Sequence, residues 1–129
     1  MAFPAQALIL LVALATLGCG EDFSVPDADC TPLYAPTWSN VHTETLAKSC
    51  AVSGGCHSAP GALGLVLSNP TQAHAALLET LVSPGFPKDS ELMYRLSPEA
   101  GLDQMPPGKI LQASERCAIS LWIRQGANP

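Results

Sequence analysis

The residues with the clearest chemical potential lie in the stretch "KSCAVSGGCHSAPG". Cys50 and Cys56 are six positions apart, and His57 follows the second cysteine directly. Covalent haem attachment uses two thiols that reach the two vinyl groups of a porphyrin, with a histidine beside the second thiol to bind the iron. The common spacing is C-x-x-C-H, and here it is longer, with two glycines that can fold the extra residues outward. The pattern therefore allows haem attachment, and it equally allows a small Cys50–Cys56 disulfide loop with a histidine nearby.

A second candidate ligand is Met105 in "DQMPPGK", 48 residues after His57. A haem electron carrier often uses a methionine thioether opposite its histidine. The two prolines behind Met105 favour a stiff, extended loop that can hold the sulfur in place. The alternative is a methionine that fills a gap in the core. Met93 and His74 are rival ligands, but we expect Met93 in a helix core and His74 at the edge of its helix.

Two other chemistries find less support. A zinc site made of Cys50, Cys56 and His57 does not match the paired spacing of structural zinc sites, because the last two residues are adjacent. A nucleophilic cysteine needs a base and an orienting group, and the pattern marks out neither. We therefore expect that the chain is not an enzyme.

The beginning of the chain predicts export. "ALILLVALA" is too short to span a membrane and suits the apolar core of a secretory signal, here residues 1–18. "TLGCGED" is similar to a bacterial lipoprotein signal, in which the cysteine, here Cys19, receives the lipid. It departs from that signal at Thr16, where an aliphatic residue is usual, and no Lys or Arg precedes the apolar run. We predict a lipid-anchored protein of the bacterial cell envelope, on the periplasmic or outer-membrane side, with an ordinary cleaved signal or an uncleaved anchor as alternatives.

The cysteine count agrees with this location. Five cysteines is an odd number, and thiols outside the cytoplasm are usually oxidised to disulfides or otherwise modified. If Cys19 carries lipid, the close pair described above and a distant pair, Cys30 and Cys117, remain. A Cys30–Cys117 disulfide would tie the segment before the domain to the last predicted helix.

Composition limits the class of partner. The net charge is −5, with six Lys and Arg and no basic cluster, which argues against nucleic acid and against electrostatic binding to anionic lipid. Residues 19–37 are polar and rich in proline, and predict a lipid-anchored tether. Residues 38–129 form one small domain, whose modest core would gain from cross-links or from a large buried cofactor.

The elements that must position these side chains are mostly helices. The first is predicted from about Trp38 to Ser49, after Thr37 as N-cap. The second begins at Pro70, after Asn69 as N-cap, and runs to about Val82. His74, Leu78, Leu81 and Val82 are predicted to fall on one side of it.

Two more helices follow. "DSELMYRLS" predicts a short helix with Leu92, Met93 and Leu96 inward. The last helix is predicted from near Ser114 to before Gly126, with Cys117, Ala118, Leu121 and Trp122 on one face. Only "LGLVLS" is strand-like. The fold class is mostly α, with about four helices and long structured loops.

In order, "SCAVSGGCHS", "GLVLS", "SELMYRL", "QMPPGK" and "CAISLWIRQGA" resemble the motifs of planctomycete-type cytochrome c domains, from about Trp38 to Ala127. The resemblance implies a small cytochrome c-like domain with one covalent haem c on Cys50 and Cys56. It implies that His57 and Met105 are the axial iron ligands, and that the protein transfers electrons to a redox partner protein. The alternative is a haem-free, disulfide-stapled envelope lipoprotein that acts as a binding or structural module.

Overall fold

The computed structural model describes residues 22–129. This part of the chain is mostly helical, as predicted, and it contains no strand. The helices are α1 (Trp38–Asn40), which continues as a π-helical segment (Val41–Cys50), α2 (Pro70–Thr80), α3 (Glu91–Arg95) and α4 (Ala113–Arg124), with 3₁₀ turns at Ala62–Gly64, Pro87–Asp89 and Pro98–Asp103. None of the helices in residues 22–129 is long and apolar enough to cross a membrane. The predicted signal, residues 1–18, and Cys19 lie outside the described residues.

The first helical stretch begins where the sequence predicts. The side chain of Thr37 accepts a hydrogen bond from the Asn40 backbone N–H at 3.4 Å, which satisfies one of the free donors at a helix start. The wider π-helical pairing is visible at the end, where Ala51 N–H donates to the Leu46 carbonyl at 2.9 Å. This helical stretch ends at Cys50, so the first cysteine of the motif lies in its last turn.

Helix α2 also starts as predicted but ends earlier. The Asn69 side chain accepts from the Gln72 N–H at 3.0 Å, and the helix ends at Thr80 rather than near Val82. Its fully buried residues are Ala73 and Leu77.

The predicted apolar side of α2 was therefore displaced by about one residue, or about 100° around the helix. Leu78, on the predicted side, is half-buried and packs against the core, whereas Val82, just after the end of the helix, is buried. The His74 ring packs at the helix edge, as expected, 5.0 Å from the Trp38 ring and 6.0 Å from the Trp122 ring, measured between centroids.

The last two helices also contribute to the core. Leu92, Met93 and Leu96 are buried, as predicted. Helix α4 begins at Ala113, and Gln112 and Glu115 form a reciprocal capping box before it. The buried cluster joins all four helices and comprises Trp38, Val41, Leu46, Ala51, Leu67, Ala73, Leu77, Val82, Leu92, Met93, Leu96, Leu111, Ile119, Trp122, Ile123 and Ala127.

The segment that was expected to be a tether packs on the domain over the part that the structure describes. A disulfide joins Cys30 to Cys117 in α4, as the cysteine count suggested. The Pro26 carbonyl accepts hydrogen bonds from the side chains of Ser120 and Arg124, at 3.4 and 3.1 Å. Residues 22–37 are thus held in part by hydrogen bonds to their backbone and by a cross-link.

The first described residues take part in this packing. The Phe23 ring meets the Tyr94 ring edge-on at a centroid distance of 5.6 Å, and Val25 and Tyr34 pack against the core. The chain is therefore fastened to the domain from Phe23 onward.

Candidate functional site

A cavity of about 400 Å³ lies among the first helix, the segment after His57, α2, α3 and the loop that carries Met105. This volume is within the range of small-molecule and cofactor pockets, about 300–1,000 Å³. The cavity is lined by Leu46, Cys50, His57, Ala62, Leu63, Gly64, Leu65, Leu67, Ala76, Leu77, Glu79, Thr80, Leu81, Leu92, Arg95, Leu96 and Met105. Three of the four cofactor-binding residues predicted from the sequence, Cys50, His57 and Met105, are therefore brought to one mostly apolar cavity.

The imidazole of His57 is oriented by the backbone that follows it. Its Nδ1 lies 3.1 Å from the Leu65 carbonyl oxygen. A carbonyl oxygen only accepts hydrogen bonds, so Nδ1 carries the hydrogen and Nε2 keeps its lone pair. The His57 carbonyl in turn accepts from the Leu67 N–H at 2.8 Å. This is the arrangement typical of a metal-binding histidine, whose second ring nitrogen donates to a carbonyl or carboxylate.

The extra residues between the two cysteines fold into a closed turn. Gly55 N–H donates to the Val52 carbonyl at 2.6 Å, and His57 N–H reaches back to the Cys50 carbonyl at 3.1 Å. Gly54 has a φ of +73°. A Cβ on Gly55 would come within 2.7 Å of the Val52 side chain, so the turn requires glycine there.

The two thiols of the motif have different environments. Cys50 is half-buried and lines the cavity, whereas Cys56 is exposed and does not line it. Both thiols are free, so the small Cys50–Cys56 disulfide loop is not formed in the structure. Burial raises the pKa of the Cys50 thiol to about 11, and the negative charge of Glu115 adds to the effect. Cys50 is thus a protonated thiol at neutral pH.

Met105 is held against α3 through its backbone. Its N–H donates to the Arg95 carbonyl at 2.7 Å. The Arg95 side chain pairs with Glu91 at 2.7 Å and with Asp103 at 3.5 Å. The residue that precedes the two prolines is therefore tied to the same helix that supplies part of the cavity wall.

The rival ligands lie elsewhere. Met93 is 1% exposed and belongs to the core, as expected. The His74 Nε2 lies 2.8 Å from the Ala127 carbonyl, and the His42 Nε2 lies 2.9 Å from the Leu67 carbonyl. Of the three histidines in the chain, His57 is the one that lines the cavity.

Several residues that build the site could not be identified from residue type and spacing. Leu65 and Leu67 were assigned only to a strand-like stretch, yet their backbone groups hold His57. Such contacts use main-chain atoms, so residue type carries no signal for them. Leu77 and Arg95 also line the cavity, and only a correct register of α2 and α3 would have indicated them.

Within residues 22–129, no group of three or more His, Cys, Asp or Glu side chains is arranged to hold a metal ion. A haem iron, by contrast, takes only its axial ligands from the protein. Comparisons with models of protein families, with curated proteins and with solved structures find no match for this chain. The resemblance to planctomycete-type cytochrome c domains therefore depends on the motifs quoted above.

Proposed function

We propose that this chain is a monohaem, c-type cytochrome-like electron-transfer protein of the cell envelope. One observation carries the proposal: Cys50, His57 and Met105, which are separated by up to 55 positions in the sequence, line a single apolar cavity. A thiol, an imidazole and a thioether are the three kinds of group that a c-type haem takes from its protein.

The residues of the cavity suit this cofactor in three respects. His57 presents Nε2 with its lone pair free, because Nδ1 donates to the Leu65 carbonyl. Met105 offers a soft thioether sulfur from a loop whose backbone is fixed to α3. The leucines make the lining of the cavity mostly apolar, which would lower the local dielectric around a bound metal.

In this proposal, His57 and Met105 would ligate the iron, and the cysteines of the motif would provide the covalent link. When bound, haem would supply one iron that cycles between two oxidation states and so carries one electron. The chain itself orients the imidazole and holds the loop that carries the sulfur. Leu63, which lines the cavity and is fully exposed, is at its open side, where a redox partner protein would approach.

The experiment is to express the full chain with a haem-maturation system and to record absorption spectra before and after denaturing extraction. We expect a c-type spectrum that survives extraction. The matched pair of variants is His57→Gln and His74→Gln. Only the first should abolish the native spectrum, because His74 lies outside the cavity. A colourless wild-type protein would refute the proposal.

The second candidate is a haem-free, disulfide-stapled envelope lipoprotein that acts as a binding or structural module. The observation that favours it is the exposure of Cys56 away from the cavity. The cross-link in this case is Cys30–Cys117, since Cys50 and Cys56 remain thiols. The same extraction experiment separates the two candidates.

A further inference from the structure

The two cysteines of the motif are not equivalent toward the cavity. Cys50 ends the first helical stretch beside Leu46, and both residues line the cavity wall. Cys56 points its side chain to solvent and contributes nothing to the wall. The thiol nearest to the candidate iron ligand in sequence is therefore the one that lies outside the cavity.

Hydrogen bonds fix this difference. The Cys56 carbonyl accepts from the Ala62 N–H at 2.6 Å, and the next residue, His57, donates its N–H to the Cys50 carbonyl at 3.1 Å. On the preceding side, the Ser58 hydroxyl donates to the Gly55 carbonyl at 2.7 Å. These bonds hold the backbone on both sides of Cys56 in the conformation in which its side chain is exposed, and the neighbouring His57 ring is oriented by its own contact with the Leu65 carbonyl.

From this geometry we propose that Cys50 alone forms a thioether to the cofactor, and that Cys56 remains a free thiol at the surface. The inference depends on the proposed function, because it concerns how the same cavity holds haem. It departs from the two-thioether attachment that the C-x5-C-H pattern suggests.

The bond-forming step is a simple addition. The S–H bond of Cys50 and the π bond of one vinyl group break, the sulfur bonds to one vinyl carbon, and the hydrogen goes to the other carbon. The step is redox-neutral and consumes no oxidant. The second vinyl group stays intact, which changes the absorption spectrum of the alkaline pyridine complex relative to that of a haem with two thioethers.

The test uses the full chain, expressed with a haem-maturation system, as wild type, Cys50→Ala and Cys56→Ala. Intact mass after denaturing extraction reports covalent haem, and alkylation of the denatured protein followed by peptide mapping reports which thiol is free. We expect wild type and Cys56→Ala to keep the added mass, Cys50→Ala to lose it, and alkylation of the loaded wild type to label Cys56 and not Cys50. The pyridine spectrum of wild type should show one unreacted vinyl group.

Two thioethers in the wild type, or covalent haem in Cys50→Ala, would overturn the inference while the proposed function stands. A wild type without any haem, before or after extraction, would overturn both. If Cys50→Ala fails to fold, peptide mapping of the alkylated wild type and its pyridine spectrum still show whether one or two thioethers form, because neither measurement needs a variant.

Discussion

Reduction of the Cys30–Cys117 disulfide should remove much of the stability of this domain. The two cysteines are 87 positions apart. On the loop-entropy model, opening such a loop gives the unfolded chain about 15 cal/mol/K, or about 4.6 kcal/mol at 25 °C. Small domains are stable by about 5–15 kcal/mol in total, so the cross-link accounts for a third of that stability or more.

The assay is urea unfolding of the protein with and without a reducing agent, followed by the fluorescence of the buried Trp38 and Trp122. We expect the unfolding midpoint to fall by about 2 M for an m-value near 2 kcal/mol/M, and the m-value itself to rise because the reduced unfolded chain exposes more surface. Reduction leaves every side chain in place, so the comparison isolates the cross-link.

Two controls accompany this measurement. The double variant Cys30→Ala/Cys117→Ala should be destabilised to a similar degree and should not respond to the reducing agent. Cys56→Ser alters only an exposed thiol and should change the free energy of unfolding by less than about 0.5 kcal/mol. A loss below about 1 kcal/mol on reduction would refute the reasoning, since the predicted gain in chain freedom would then be missing.

Four further predictions follow from the site and the core. Met105→Ala should lower the reduction potential of the haem-loaded protein, because a methionine ligand raises it; an unchanged potential and sulfur–iron absorption band would contradict the assignment. Ile123→Ala, at a fully buried position, should reduce the free energy of unfolding by about 2–5 kcal/mol, measured in urea. Asn69→Ala removes the side-chain cap of α2 and should reduce the free energy of unfolding by about 0.5–2 kcal/mol. Because burial raises the pKa of the Cys50 thiol to about 11, iodoacetamide should modify Cys56 first in the native haem-free protein. The rate at which iodoacetamide alkylates Cys50 should then rise about tenfold for each pH unit as the pH is raised toward that pKa. Equal alkylation rates for both thiols at pH 7 would contradict this prediction.

The starts of the helices could be predicted because the caps use local side chains. Thr37 and Asn69 each accept a hydrogen bond from a backbone N–H three residues ahead. Such signals need only neighbours in sequence. The packing of α2 was harder to predict, because Ala73 and Leu77 are buried by other elements that pack on the helix, and residue type within α2 does not indicate which side those elements cover.

The site could be predicted in part. His57 and Met105 were identifiable because their side chains have specific chemistry and their flanking residues constrain them. The difference in exposure between the Cys50 and Cys56 thiols could not be predicted, because it follows from the turn at Gly54 and Gly55 and from the hydrogen bonds around Cys56. Backbone contacts of this kind leave little trace in residue type. The packing of residues 22–37 on the domain was missed because the segment is polar and rich in proline overall, although Phe23, Val25 and Tyr34 in it pack against the core.

The packing of Phe23 against Tyr94 limits how far the domain could lie from a lipid bilayer. If Cys19 carries acyl chains, four residue steps separate the lipid from the Phe23–Tyr94 contact. A fully extended chain spans at most about 3.6 Å per residue, or about 14 Å over four steps. The surface around Phe23 would then stay within that distance of the headgroups. If the proposed haem is also bound, its redox partners would have to diffuse in or beside the same bilayer.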